Sequence, residues 1–162
     1  TIIIHSMHRP EGDSQFDLHR CKAWLDHCGV SSHYLIDRYG TILQTVADDA
    51  LAWHAGKSKM PSPDERENVN DFSIGIELIG CEELDFTPSQ YGALNVLLSD
   101  LLKRWPISSI YGHNDIAPQR KTDPWGLDWR HVLLHLEPAK PSPLRHHPLN
   151  GENVAYGRFA AL

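Results

Sequence analysis

The sequence predicts a single α/β domain in which α-helices flank a mixed β-sheet. Short apolar or β-branched runs alternate along the chain with segments whose apolar residues recur at helical spacing, a pattern typical of this class. The length of 162 residues fits one domain. A content of 41% hydrophobic and 22% charged residues is that of an ordinary protein with an apolar core.

Five segments have the composition of β-strands. They are residues 1–5, 32–38, 41–47, 73–80 and 107–112. We expect the second and third to form a hairpin through a tight turn at Tyr39 and Gly40. In the fourth (SIGIELIG), alternation places three apolar residues on one face and Gly75, Glu77 and Ile79 on the other.

Three segments have helical periodicity. They are residues 16–28, 88–104 and 127–136. Gly29 is expected to end the first helix, because glycine is favoured just after a helix C-terminus. The second begins with a capping box, in which Thr87 caps the helix, Pro88 occupies the first position and Gln90 completes the box.

The three cysteines are not expected to form a disulfide framework, since their number is odd. Cys21 and Cys28 lie seven residues apart on the first helix, a rise of about 10 Å that no disulfide spans. We expect both to be buried thiols on the apolar face of that helix. The chain has no CxxC pair, so a thiolate zinc site is not expected.

The domain is expected to cover residues 1–136. Within it, residues 57–71 form a long polar loop with prolines, and such loops often serve as lids or cleft walls. Residues 137–162 are rich in Pro, His, Gly and Asn. They predict a C-terminal tail that wraps around the surface or is disordered.

The charge balance excludes some classes of function. Lys and Arg number 15 against 21 Asp and Glu, which gives a net charge of −6 and argues against a nucleic-acid-binding protein. No apolar run approaches the roughly 18–20 residues that a transmembrane segment needs. We expect a monomer without nucleic-acid partners.

Glu77 is unusual because it lies inside an apolar strand, where burial of a carboxylate is costly. Three explanations are open: an edge position that faces solvent, a buried ion pair, or a functional acid or base. In the last case, partial burial would raise its pKa towards the working pH.

Histidines are the second unusual feature, because the chain contains eleven of them. Most lie on predicted helix surfaces or in the tail, whereas His5, His54 and His113 lie at strand ends and in loops, where functional sites are usually built. His113 opens the segment HNDIAPQRKTD, which ends at Asp123. Two histidines and a carboxylate are typical of catalytic zinc, but spacing alone does not show that His5 and His113 meet.

Several blocks of the chain resemble one family. They are IIIH (2–5), SSHYLIDRYGTI (31–42), AWHAG (52–56), NDFSIGIELIG (70–80), FTPSQY (86–91) and GHNDIAPQRKTDP (112–124). Together they resemble the zinc-dependent N-acetylmuramoyl-L-alanine amidases of the type-2 family, in particular the AmpD-like branch. Phage T7 lysozyme and the peptidoglycan recognition proteins are related to this family.

The resemblance implies a site. His5, His113 and Asp123 occupy the positions of the family's three Zn²⁺ ligands, Glu77 that of the general base, and Lys121 that of the cation that stabilises the oxyanion.

The resemblance also implies substrate contacts. Trp53 and His54 match a segment that lines the substrate cleft, and Asn70 with the loop before it is expected to form a cleft wall. His33 matches a frequent position to which we assign no role. Trp125 stands after Pro124 where the family often has glycine, which affects the cleft rim rather than the ligands.

The implied function is hydrolysis of the amide between N-acetylmuramic acid and L-alanine of the peptidoglycan stem peptide, by zinc-activated water. The alternative is a non-catalytic module that binds peptidoglycan or muropeptides. A zinc peptidase that cleaves within the stem is a further alternative, although the chain has no HExxH motif. The sequence leaves open whether the substrate is polymeric wall or an anhydro-muropeptide. It also leaves open the compartment, for which the cell envelope or secretion is expected over the cytoplasm.

Overall fold

A computed structural model describes residues 1–8 and 14–133. It confirms the predicted class, since a mixed five-stranded sheet is flanked by helices. The predicted tail and the end of the predicted last helix lie outside the described residues. Within the described ranges, no helix has the length and apolar character needed to cross a membrane.

The strands are β1 (Ile2–Met7), β2 (Tyr34–Ile36), β3 (Ile42–Gln44), β4 (Ile74–Ile79) and β5 (Ile110–Gly112). The helices are α1 (Leu18–His27), α2 (Pro88–Arg104), α3 (His113–Ile116) and α4 (Trp129–Leu133), with a 3₁₀ turn at Val69–Phe72. The strands β2 and β3 are shorter than predicted. Asp37 explains the shortening next to the turn, because its carboxylate accepts the N–H groups of Tyr39 and Thr41 and starts the turn earlier.

The strand order is β3-β2-β4-β1-β5, with β4 at the centre. The strand β4 pairs in parallel with β1 and β2, β1 pairs in parallel with β5, and only the β2–β3 hairpin is antiparallel. In the register of β1 and β4, His5 lies opposite Glu77. Because paired residues on parallel strands point to the same side, both side chains lie on one face of the sheet.

One face of the sheet packs against α2. The isoleucines and leucines of β1 and β4 that point to this face meet the leucine stripe of the helix in the largest apolar cluster. The predicted capping box is confirmed: the Gln90 N–H donates to Thr87 Oγ1, and the Thr87 N–H donates to Gln90 Oε1. This face is therefore an apolar core that supports the strands that carry the site.

The opposite face holds two separate apolar clusters. One, around Ile3, lies beneath the segment that precedes β4; the other, around Met7 and Ile79, packs against α1. His5 and Glu77 lie between them along the strands. The polar side chains of this face are thus enclosed by apolar packing at both ends.

Two details of the helices differ from the sequence prediction. Cys21 is buried as expected, but Cys28 is exposed. The reason is that Cys28 lies at the C-cap, one residue beyond α1, and Gly29 then adopts φ of +67° and turns the chain away. The short helix α3 was not predicted, because four residues are too few to show a periodicity.

Candidate active site

Three buried side chains from distant parts of the chain converge beside β1 and the end of β5. The first strand was predicted to end at His5, but it continues to Met7, so His5 lies within it. His5 lies on β1, and His113 immediately follows β5. The parallel register pairs Ile4 with Gly112, so the two histidines occupy equivalent positions on neighbouring strands. Asp123 comes from the loop after α3, whose main chain is fixed by a bond from the Asn114 N–H to the Asp123 carbonyl.

The donor atoms of these residues form a tight triangle. His5 Nδ1 and His113 Nδ1 are 2.9 Å apart, His113 Nδ1 and Asp123 Oδ2 are 3.1 Å apart, and His5 Nδ1 and Asp123 Oδ2 are 3.6 Å apart. A tetrahedral zinc ion with bonds of about 2.0–2.1 Å separates its ligand atoms by about 3.3 Å. The described residues therefore include a buried His-His-Asp group whose spacing and donor types fit zinc.

Outer contacts orient this triangle. The His113 Nε2 atom lies 3.2 Å from the Ala55 carbonyl oxygen, which can only accept, so Nε2 carries a proton. A metal ion would then be bound through the lone pair of Nδ1. The Ser6 N–H lies 3.4 Å from Asp123 Oδ2. Hydrogen bonds of this kind fix a ligand's tautomer and orientation before a metal arrives.

The charge states follow from burial and proximity. Burial lowers the pKa of His5 to about 4, so its imidazole is neutral at pH 7. Burial alone would raise the pKa of Asp123, but its contacts with His113 and His5 outweigh that effect and lower its pKa below the usual range. A neutral imidazole and a carboxylate are the forms that bind a metal ion.

Glu77 is 7% exposed, and its Oε2 atom is buried without a hydrogen-bond partner. Burial, with a smaller contribution from the charge of Asp123, raises the pKa of Glu77 to about 8. The central position of β4 rules out an exposed edge, and the described residues give Glu77 no ion pair. The two structural explanations are thus not supported, and a role of Glu77 as a functional acid or base stays a prediction.

This raised pKa predicts a pH-dependent cost to stability. The carboxyl has a pKa of about 8 when folded against 4.5 for the unperturbed group. Between these values the folded state holds the extra proton, so stability falls as pH rises, by at most about 1.4 kcal/mol per pH unit. We expect Glu77→Gln to be more stable than the wild type in metal-free buffer, with a difference that grows from pH 5 to pH 8.

Urea unfolding with EDTA at several pH values measures this difference. Glu82→Gln, a change at an exposed position, is the control and should show no such trend. A stability difference for Glu77→Gln that stayed constant with pH would contradict the raised pKa.

Lys121 follows α3 and is partly exposed. Its charge acts on the site, because it lowers the pKa of both His5 and Glu77. Its backbone N–H donates to the Ala117 carbonyl, which fixes the segment between α3 and Asp123. The ammonium group is thus a partly exposed cation whose charge acts on the buried groups of the site.

The chain is similar in sequence to a family of known enzymes. Residues 1–126 match the family model of the N-acetylmuramoyl-L-alanine amidases. The chain belongs to this family. The 1,6-anhydro-N-acetylmuramyl-L-alanine amidase AmpD of Citrobacter freundii is 40% identical over 154 residues, which cover 85% of this chain and 81% of that protein.

Two solved structures are similar to this amidase. The crystal structure of a Se-Met derivative of AmpD has a TM-score of 0.66 and 38% identity, and the match covers 81% of this chain and 80% of that one. AmiD from E. coli, solved with the substrate anhydro-N-acetylmuramic acid-L-Ala-D-gamma-Glu-L-Lys, has a TM-score of 0.70 and 32% identity. That match covers 88% of this chain and 59% of AmiD.

The residues of the amidase that were predicted to contact substrate differ in their surroundings. Trp53 is 57% exposed and is available to a ligand. Asn70 is buried, and its Oδ1 atom accepts the N–H groups of His54 and Ala55. The ring of His54 is buried against that of His5. Contact of these three residues with substrate stays a prediction.

His33, to which the sequence assigned no role, is a structural residue of the amidase. Its Nε2 donates to the Ala50 carbonyl and its Nδ1 accepts the Gly75 N–H, so it ties the start of β4 to the segment that follows β3. The sequence prediction did not single out Ser73 and Gly75, which both contact the ring of His54. Gly75 carried a signal, because a glycine inside an apolar strand indicates the close approach of another group.

Proposed function

We propose that this chain is a zinc-dependent amidase that cleaves the bond between the lactyl group of N-acetylmuramic acid and L-alanine of the stem peptide. The observation that carries the proposal is the buried triangle of His5, His113 and Asp123 with Glu77 on the neighbouring strand. The names of AmpD and the AmiD complex support a substrate of this class.

In the proposed site, His5, His113 and Asp123 hold the zinc ion. Zinc held there would lower the pKa of water towards about 7 and polarise the scissile carbonyl, which a poor electrophile such as an amide requires. The two imidazoles are neutral donors and the carboxylate contributes a single negative charge, so the site keeps a net positive charge when loaded.

Glu77 acts as the proton carrier. Its position on the same face as His5, one strand away, places it beside the site, and no hydrogen bond holds its Oε2 in another role. It takes the proton of the attacking water and then delivers it to the amine of L-alanine as that group leaves. A pKa near neutrality suits both steps, because the group must gain and lose the proton within one cycle.

Lys121 stabilises the negative charge that develops on the carbonyl oxygen. We expect Lys121→Met, which keeps the length of the side chain and removes its charge, to lower kcat by about 10²–10³-fold with zinc content unchanged. Steady-state kinetics and zinc analysis measure the two quantities. Lys103→Met, at an exposed position at the end of α2, is the control. A Lys121→Met enzyme with the kcat of the wild type would exclude this role.

Mass spectrometry of digested muropeptides tests the function itself. The zinc-loaded chain should convert an anhydro-muropeptide into free sugar and intact stem peptide. Shortened stems would indicate a peptidase, and binding without any product would indicate a non-catalytic module. Because the relatives are named for the 1,6-anhydro sugar, we expect faster cleavage of the anhydro-muropeptide than of intact sacculi.

A further inference from the structure

Two buried side chains that take no part in the proposed chemistry form a hydrogen-bonded chain that ends on the ring of His5. His5 Nε2 lies 2.9 Å from His54 Nδ1, and His54 Nε2 lies 3.3 Å from Ser73 Oγ. Ser73 Oγ in turn lies 2.6 Å from the carbonyl oxygen of Val69. All four residues are buried, so these groups satisfy one another rather than bonding to solvent.

The Val69 carbonyl fixes the direction of every bond in this chain. A carbonyl oxygen can only accept, so the single hydroxyl hydrogen of Ser73 points to Val69. Ser73 Oγ then has only lone pairs for His54, and His54 Nε2 must donate to it. A neutral imidazole carries one N–H, so His54 Nδ1 must accept, and the donor facing it is His5 Nε2.

A metal ion bound by His5 Nδ1 would require the same direction. With its proton on Nε2, the neutral ring of His5 has its lone pair on Nδ1, which is the atom that faces His113 and Asp123. We propose that His54 and Ser73 are positioning residues that hold His5 in this tautomer and orientation, so that Nδ1 is ready to bind zinc. This inference rests on the proposed function, because it takes His5 to be a ligand.

The packing around His54 restrains its ring in the position that the chain needs. A Cβ atom at Gly75 would lie 2.5 Å from His54 Cγ, so the ring rests directly on the backbone of β4. Asn70 Oδ1 accepts the N–H groups of His54 and of Ala55, at 3.1 and 2.7 Å, and fixes the backbone that carries the ring. The inference therefore also accounts for a glycine within β4 and for a buried asparagine.

Ser73→Ala tests the proposal with the loss of one oxygen atom. Ser58→Ala is a matched control: Ser58 is 7% exposed and Ser73 is 8% exposed, and Ser58 Oγ contacts the Val69 N–H rather than its carbonyl. We expect Ser73→Ala to weaken zinc binding by about 10-fold or more, measured by competition with a chromophoric chelator. Ser58→Ala should stay within twofold of the wild type.

Ring nitrogen chemical shifts of zinc-free, ¹⁵N-histidine-labelled protein provide the second readout. We expect His5 to be protonated on Nε2 in the wild type and in Ser58→Ala, and to become a mixture of tautomers in Ser73→Ala. His54→Phe, which keeps a ring but has no hydrogen-bonding atom, should weaken zinc binding at least as much as Ser73→Ala. His54→Asn, which keeps an acceptor for His5 Nε2, should recover part of the loss.

The outcomes separate this inference from the proposed function. Zinc affinities of Ser73→Ala and His54→Phe within twofold of the wild type, with His5 still protonated on Nε2, would overturn the inference. A wild-type chain that binds no zinc would overturn the proposed function instead. In that case the nitrogen spectra of the zinc-free proteins still decide the direction of the chain. If His54→Phe does not fold, the zinc affinity and the His5 tautomer of Ser73→Ala decide whether the inference holds.

Discussion

Glu77→Gln is expected to lower the turnover of the amidase by about 10²–10⁴-fold while the protein keeps its zinc. The reason is that the side-chain amide of glutamine cannot take up the proton of the attacking water. Gln matches the shape of Glu, and Glu77 lies on a neighbouring strand to the proposed ligands rather than among them. Single-turnover measurements on a muropeptide, with zinc content determined in parallel, separate chemistry from metal loss.

The exposed residue Glu82 again offers the control, since Glu82→Gln makes the same substitution at an exposed position. Near-normal turnover in zinc-loaded Glu77→Gln would assign the proton transfer to another group. A large loss of turnover, together with the higher stability expected for Glu77→Gln in metal-free buffer, would show that the carboxylate is retained for chemistry at a cost to folding.

His113→Ala should abolish both zinc binding and activity. Removal of a direct ligand should cost more than the roughly 10–100-fold in affinity that is typical when an outer hydrogen-bonding partner is lost. After dialysis, inductively coupled plasma mass spectrometry should find about one zinc per wild-type chain and almost none in the variant. His19→Ala, at an exposed position of α1, should keep full occupancy. Full zinc occupancy in His113→Ala would contradict the ligand assignment.

Local patterns in the sequence predict the side of the sheet on which a strand residue lies, but not which distant residues meet. Alternation in β4 predicted that Glu77 points away from the apolar face of the strand, because strand periodicity is a local property. That apolar face is the one that packs against α2. The meeting of His5 with His113 depends on the pairing of β1 with β5 across 108 residues of chain, which no local pattern contains. It was inferred only from the family resemblance.

Other features could not be predicted from periodic patterns. The chain from Ser73 to His5 consists of single hydrogen bonds between loop and strand residues, which leave no periodic signal. Cys28 fell on the apolar side of a helical pattern, yet α1 ended one residue before it. Helix ends are set by the local turn geometry, and here Gly29 decides the outcome.

The long separation of the three proposed ligands has a thermodynamic consequence. His5 stands in the first strand of the chain and Asp123 near the end of the described residues, so no fragment of the domain can assemble the ion's coordination shell by itself. Whatever free energy the ion contributes is therefore shared by the complete tertiary structure, and it rises with the concentration of free metal. Supply of the metal in the surroundings would set how long the whole molecule survives as well as how fast it works.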